Sequence, residues 1–431
     1  MFRSNKTNDG VTLRSIIIGL TMIPLNCWWV VQSEAVWGII YPTTISLFFN
    51  VTFTLFALVL LNLILKKLSY PRMLSQGELL TIFTMLCLSS SMADMNVVET
   101  LVLSMGHASW FATPENEWQS LFFKYIPTWL TVMDNDALHG FYLGDSTFYT
   151  KAHLSVWLKP FAFWATFIFV LIFTMLCINV IIRRQWIETE KLSYPIIQLP
   201  YEITRTDGAI FQNSMFLMGF LSTPFLNLTN GLHFYFPLIP QLRLKIPDIG
   251  NFFTNEPWNA VGWTPLMVYP WVVGIFFFIP VDLSFSCWFF YIFAKAQRII
   301  GRVVGWKALP SFPYFDQQVI GGWFFLLFIA LFLIRKYLKK VFIIVFGGNA
   351  KNEVEPKASL QSLSPLNYQL AMAGMVLGIV YMVLFFAVAG MSICVALAFI
   401  LLLLGKGLTV TRIRAELGPP QLEFYNVGVL D

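Results

Sequence analysis

Few side chains in this chain are equipped for chemistry, and those few sit inside long apolar runs. Asp94, Asn96 and Glu99 fall in one run between Glu78 and Ser104, Asp282 follows Pro280 in another, and Asn26 lies in the first. An ionisable group in hydrocarbon costs at least ~2.5 kcal/mol on insertion scales, so such groups face a bundle interior or a wet passage. At 1.5 Å per residue Asp94 lies ~24 Å along a helix from Glu78, in the outer third of a bilayer, with Glu99 near the rim. Solvation of both acids at that rim is the competing reading. Asp282 beside Pro280 would meet the bare carbonyls of a broken helix, an arrangement that holds sodium ions or protons in secondary transporters. It reads equally as the start of a new helix. Asn26, Asn50, Asn62 and Asn179 are neutral groups suited to helix-to-helix hydrogen bonds, with Asn26 also a candidate for contact with a solute.

A second constellation is Glu190-Lys191-Leu192-Ser193-Tyr194-Pro195, which follows a long apolar run and the pair Arg183-Arg184. Proline bars the residue before it from helical geometry, so the stretch ends a span. Glu190, Lys191, Ser193, Tyr194, Pro195 and Gln198 are therefore candidates for a gate at that membrane face. The pentapeptide recurs as Lys67-Leu68-Ser69-Tyr70-Pro71, and a looser copy is Ser311-Phe312-Pro313.

Other chemistry finds no support. His107, His139, His153 and His233 show no compact ligand spacing, and the five cysteines all lie in apolar runs, where they act as small core residues. No metal centre, cofactor or catalytic residue is expected. Neither a phosphate-binding GxxxxGK[ST] loop nor a GxSxG elbow occurs, so the chain is not read as an enzyme. The net charge of +5 comes from short clusters at the ends of apolar runs, a mark of membrane topology rather than of nucleic-acid binding.

The elements that must carry these residues are transmembrane helices. Hydrophobic residues make up 57% of the chain and charged ones 12%, against roughly 25% charged in soluble domains. The fold class is all-α, a polytopic helix bundle of about eight crossings with re-entrant or broken segments. Spans are expected near Leu13–Val31 and Thr44–Leu65, then from Ser75-Gln76-Gly77-Glu78, a capping box, towards Ser104. Ser33-Glu34-Ala35 imitates a signal-cleavage site, but Pro24, Asn26 and the tryptophans after it favour a first span. Residues 1–105 thus form N-terminal helices, 106–156 an extracytoplasmic aromatic-rich loop, 157–420 a bundle with broken helices, and 421–431 a polar tail. Phe211–Pro240 is expected to be discontinuous around Pro224. Pro265–Ala294 is a kinked span, and Asn367–Ala387 with Met391–Leu404 a final hairpin. Crossing every segment once would strand Arg335–Lys340 and Arg412–Arg414 outside, against the positive-inside rule. Making Gln317–Ile334 re-entrant repairs this and leaves both termini cytoplasmic in the inner (plasma) membrane. Gly374-Met375-Val376-Leu377-Gly378 offers a close helix contact.

The stretch Glu190–Pro200, with Pro42–Asn50, Leu74–Leu79, Phe111–Trp118 and Thr411–Pro420, resembles a family of uncharacterised bacterial polytopic membrane proteins, a domain of unknown function. The match covers nearly the whole chain and implies no activity. More distantly, Lys191-Leu192-Ser193-Tyr194-Pro195 is similar to the Lys-Leu-aromatic-Pro element of oligopeptide and metal-chelate transporters, although Ile196-Ile197 replaces the Ser-Gly that follows there. Members of the resembled family continue past Gly418-Pro419-Pro420 with further spans, which implies a shortened member or a separate remainder.

The expected function is a secondary transporter of a small polar or peptide-like solute, coupled to protons or cations. The alternative is a non-transporting membrane scaffold whose aromatic loop binds an envelope partner. Expected partners are the bilayer, an unidentified solute, and a second copy or a separate protein supplying further helices.

Overall fold

The computed structural model describes residues 10–38, 41–45, 47–68, 73–205, 208–242, 245–246, 248–267, 272–274, 276, 279–306, 309, 312–346 and 365–419. Ser69–Pro71 of the first pentapeptide, Ser311 of the loose copy and the tail 421–431 lie outside them. In chain order the helices are α1 (Leu13–Val31), α2 (Phe49–Lys67), α3 (Gln76–Ala93), α4 (Thr100–Trp110), α5 (Trp118–Leu121), α6 (Asn135–Leu143), α7 (Lys151–Arg184), α8 (Pro195–Ile203), α9 (Ser214–Tyr235), α10 (Val281–Val304), α11 (Phe315–Val345), α12 (Pro365–Val388) and α13 (Ile393–Glu416). Lys245–Ile246 and Leu266–Met267 pair as a short antiparallel ribbon. Among the described residues, seven helical stretches are long and apolar enough to cross a membrane: those built on α1, α2, α3 with α4, α7, α11, α12 and α13. The chain is an all-α, multi-pass helix bundle.

The chain divides into two compact units. The first comprises Met1–Asp94, Ser193–Gly322 and Ile413–Asp431, the second Met95–Leu192 and Trp323–Arg412.

In the first unit, α1 and α3 each open on a capping box. Thr12 accepts from Ser15 N and Ser75 accepts from Glu78 N, while the side chains of Ser15 and Glu78, third in their helices, accept from the cap N–H groups. Each satisfies donors that a helix start would leave bare. α1 runs on into the π turn Gln32–Val36, whereas α3 breaks at Asp94 before the π turn Met95–Glu99 that opens the second unit. Caps and π turns alike lie 63 positions apart, the separation that also brings Asn26 to Ser89. α1 and α3 therefore pack parallel: Thr12 donates to Glu78, Gly19 sits under Met85, and Asn26 meets Ser90. A Cβ at Gly19 would lie 2.6 Å from Met85 Sδ, so glycine sets this approach. Val51, Ile82 and Leu86 fill the space between α1, α2 and α3. Leu55, Val59 and Leu79 pack with Ile203 of α8, whose nine residues are too few to cross.

The span expected to break at Phe211–Pro240 is instead continuous from Ser214 to Tyr235, with Pro224 inside it. Proline removes one backbone hydrogen bond, a loss that membrane helices absorb through neighbouring groups. Lys295 of α10 donates to the carbonyls of Val261 and Trp263, tying that helix to the loop before it.

In the second unit, α7 is 34 residues long and carries Pro160 within it. It is lined by α12 running antiparallel: Tyr381 bonds Thr166, Gly378 abuts Thr174, and Gly374 abuts Cys177. The close contact expected from Gly374 and Gly378 is thus present. α11 and α13 run parallel to α7, since Leu327 packs on Gly405, Met175 on Gly407, and Tyr337 donates to the Ile181 carbonyl. This overturns the re-entrant assignment of Gln317–Ile334. The segment lies in an unbroken 31-residue helix that carries Arg335, Lys336, Lys339 and Lys340 on exposed positions instead of ending at them. The parallel direction gathers Arg183, Arg184, the α11 basic residues and Arg412 at one end of this unit, which removes the charge conflict without a re-entrant loop.

The region 106–156 is a folded cap. Met105, Val132, Ala137, Leu138 and Trp157 form its core, and Trp110 stacks on Tyr142.

Candidate functional site

The polar groups of the first unit are concentrated along the seam of α1, α2 and α3, in three layers. At the helix starts, Thr12 Oγ1 donates to Glu78 Oε1 at 2.6 Å. In the middle, Asn26 Nδ2 reaches Ser89 Oγ at 2.9 Å and Ser90 Oγ at 2.8 Å, while Asn50 Nδ2 donates to Asn26 Oδ1 and Ser90 Oγ, each at 2.9 Å. Asn26, Asn50 and Ser90 are all buried. Asn26 therefore serves as the helix-to-helix bond expected of it, with its partners arriving from both neighbouring helices.

The third layer lies where α1 and α3 end. Glu34, on the π turn after α1, is buried, with 3% of its surface exposed. Its Oε1 accepts from Thr43 N at 2.9 Å and from Thr43 Oγ1 at 2.6 Å. Thr43 Oγ1 also lies 2.9 Å from Asp94 Oδ1. Asp94 closes α3 in extended geometry (φ −57, ψ 142), and the chain resumes as the π turn Met95–Glu99. Asp94 is thus half-buried at a helix break. π turns recur at functional sites because they redirect side chains within a helix.

The remaining candidates are scattered. Asn96 is exposed and Glu99 half-buried on the π turn of the second unit. Asp282 is exposed in the first turn of α10, just after the cap residue Pro280, where a carboxylate meets the positive end of the helix dipole.

Glu190 to Gln198 form a structured junction. In the second unit Glu190 pairs with Arg412 at 2.6 Å and accepts from Gln185 Nε2 at 3.2 Å. In the first, Ser193 Oγ donates to the Glu416 carbonyl at 2.7 Å, Tyr194 N donates to the Ala415 carbonyl at 2.8 Å, and buried Pro195 packs on Gly418. Gln198 folds back onto the Ser193 carbonyl at 3.3 Å. Lys191 and Tyr194 take left-handed backbone (φ 51 and 45), the sharp reversal that lets Pro195 open α8. Lys191 is exposed. The two stretches most distinctive in sequence, Glu190–Pro195 and Arg412–Gly418, are therefore bound to each other.

Sequence reasoning missed Glu34 and Thr43. The signal was present: Glu34 is an acid in the first apolar run, eight positions after Asn26, but Ser33-Glu34-Ala35 resembled a cleavage site. Among the described residues no group of three His, Cys, Asp or Glu is placed to hold a metal ion.

Compared with known proteins, residues 5–428 match the sequence model of a family of unknown function, DUF6785. No curated protein and no solved structure matches.

Proposed function

The chain belongs to DUF6785, a family of unknown function, so only its own residues speak for its activity; on them we propose a secondary transporter. It moves a small polar or peptide-like solute across the inner (plasma) membrane, coupled to protons or cations. The observation that carries this reading is Glu34, buried in a seam of apolar helices and joined through Thr43 to Asp94 where α3 breaks. Acids at such depth are expensive and border ion or solute pathways, and broken helices build coupling sites in carriers. Asp282, exposed at a helix start, has less support. The basic ends of α7, α11 and α13 favour a cytoplasmic face for that end of the second unit. Ser193, Tyr194, Pro195 and Gln198, in the first unit, are the gate residues of this reading.

The test is uptake into proteoliposomes under an imposed pH or sodium gradient, using labelled dipeptides and small polar solutes first selected by the thermal stabilisation that ligands confer. Wild type accumulates solute and Asp94→Asn falls to background. Wild-type-like uptake by Asp94→Asn removes that residue from the mechanism. A scaffold role is favoured instead by the exposed aromatics of the cap, Tyr125 at 70% and Tyr149 at 87%; crosslinking of the cap to one defined envelope protein, with no solute uptake, would establish it.

A further inference from the structure

The basic residues at one end of the second unit fall into two groups. Arg184 is paired with Glu188 at 2.8 Å and Arg412 with Glu190 at 2.6 Å. Glu188 and Glu190 are the acids that the described residues of this unit supply at that end, and both are taken. Arg335, Lys336, Lys339 and Lys340 on α11 and Arg183 at the end of α7 are exposed, and none of them meets a carboxylate among the described residues. Arg335 instead bonds the Phe332 carbonyl at 3.1 Å, with its guanidinium 3.4 Å from the centroid of the Phe332 ring.

Topology asks only for positive charge at one membrane face. It does not ask that the charges stay unpaired or share a side of a helix, and these do both. At roughly 100° per residue, Phe325, Phe328, Phe332, Lys336, Lys339 and Lys340 fall on one side of α11. The opposite side is buried, where Ile334 and Val341 cluster with Ile181 of α7 and Tyr368 of α12. The outer side is therefore apolar and exposed through Phe332, then basic from Arg335 to Lys340.

That border has the dimensions of a lipid headgroup layer. Five residue steps carry the basic band over ~7.5 Å, close to the roughly 5–7 Å of headgroup region on each side of a bilayer. The phenylalanines of the same face extend from it to where acyl chains lie. Lysine stems cover apolar surface while their ammonium groups reach the polar layer. Arg183 adds a charge at this level, since Tyr337 of α11 donates to the Ile181 carbonyl two residues before it. Ammonium and guanidinium groups donate to phosphate oxygens. A zwitterionic headgroup carries the same phosphate but also a cation that this face repels, so the complementary lipid is an anionic one.

We propose that Arg335, Lys336, Lys339 and Lys340, with Arg183, form a docking surface for the headgroups of anionic phospholipids. This surface depends on the multi-pass fold alone, not on the transport reading.

Native mass spectrometry of the purified full-length protein, titrated in detergent with dioleoylphosphatidylglycerol or dioleoylphosphatidylcholine, tests it. Wild type holds phosphatidylglycerol more tightly than phosphatidylcholine, and the preference falls as ammonium acetate is raised, because salt screens exposed charges. Each basic side chain near an anionic surface contributes about fivefold. Lys336→Gln with Lys339→Gln and Lys340→Gln therefore weakens phosphatidylglycerol binding by about tenfold or more and leaves phosphatidylcholine binding unchanged. The same three positions changed to Arg keep the preference, as does Lys124→Gln with Lys151→Gln, both exposed in the cap region. Equal retention of the two lipids by wild type, or an undiminished preference in the glutamine variant or at high salt, overturns the proposal; the salt series decides it if that variant fails to fold. Displacement of the bound lipid by inorganic phosphate or by a short RNA at equal concentration assigns the face to a soluble anion and overturns it as well.

Discussion

Arg412→Met destabilises the protein by roughly 3 kcal/mol, the lower end of the cost of stranding one member of a buried ion pair, while Arg412→Met with Glu190→Leu recovers most of that loss. The side chains of Arg412 and Glu190 are 13% and 14% exposed and meet at 2.6 Å. Removing the guanidinium leaves a carboxylate with Gln185 Nε2 at 3.2 Å and little water. Replacing both groups by apolar ones of similar volume removes the stranded charge along with the bond. A solvent-exposed pair would instead cost under ~1 kcal/mol in the single variant. Thermal unfolding in one detergent distinguishes these cases, and equal losses in the single and double variants would show that the pair is not what holds this junction.

Gly378→Leu has the second largest effect, a loss of about 1–3 kcal/mol or more from overpacking together with a reduced monodisperse fraction on size exclusion. The α-carbon of Gly378 lies directly against Thr174, which is wholly buried and bonded to the Val170 carbonyl at 2.7 Å. A Cβ at Gly374, one turn earlier, would stand 2.8 Å from Cys177 Sγ. Neither neighbour is the free end of a long side chain, so the helices must separate to admit a larger residue. Val380→Leu is the control, since Val380 is 48% exposed on the same helix and should change stability by no more than ~0.5 kcal/mol. Equal behaviour of the two variants would mean that α7 and α12 do not depend on close approach.

Much of this architecture was legible because hydropathy and capping are local. The span expected near Leu13–Val31 matches α1, which a π turn extends to Val36, the Ser75–Glu78 capping box opens α3 as expected, and the glycine pair on α12 makes the contact its spacing implied. The misreadings came from steps that are not local. Assigning Gln317–Ile334 as re-entrant depended on counting crossings, and one doubtful segment between residues 205 and 314 changes the sense of all that follow. Pro224 promised a break, but a proline inside a helix removes only one backbone hydrogen bond, and α9 continues through it. Glu34 went unrecognised because an acid's role depends on what folds back over it. Its partner Thr43 arrives from a loop, and Asp94 from a helix sixty residues onward.

The π turns among the described residues, Gln32–Val36, Met95–Glu99 and Gln185–Thr189, also bear on how this chain tolerates changes of length. Each holds its coil wider than an α turn, with one residue in surplus. Losing that residue lets the coil tighten while the side chains beyond keep their bearing. The same deletion inside Phe49–Lys67 would swing everything downstream by roughly 100° about the axis, turning lipid-facing positions inward. The wide turns are therefore the points where the helical frame can shed a residue and keep its faces.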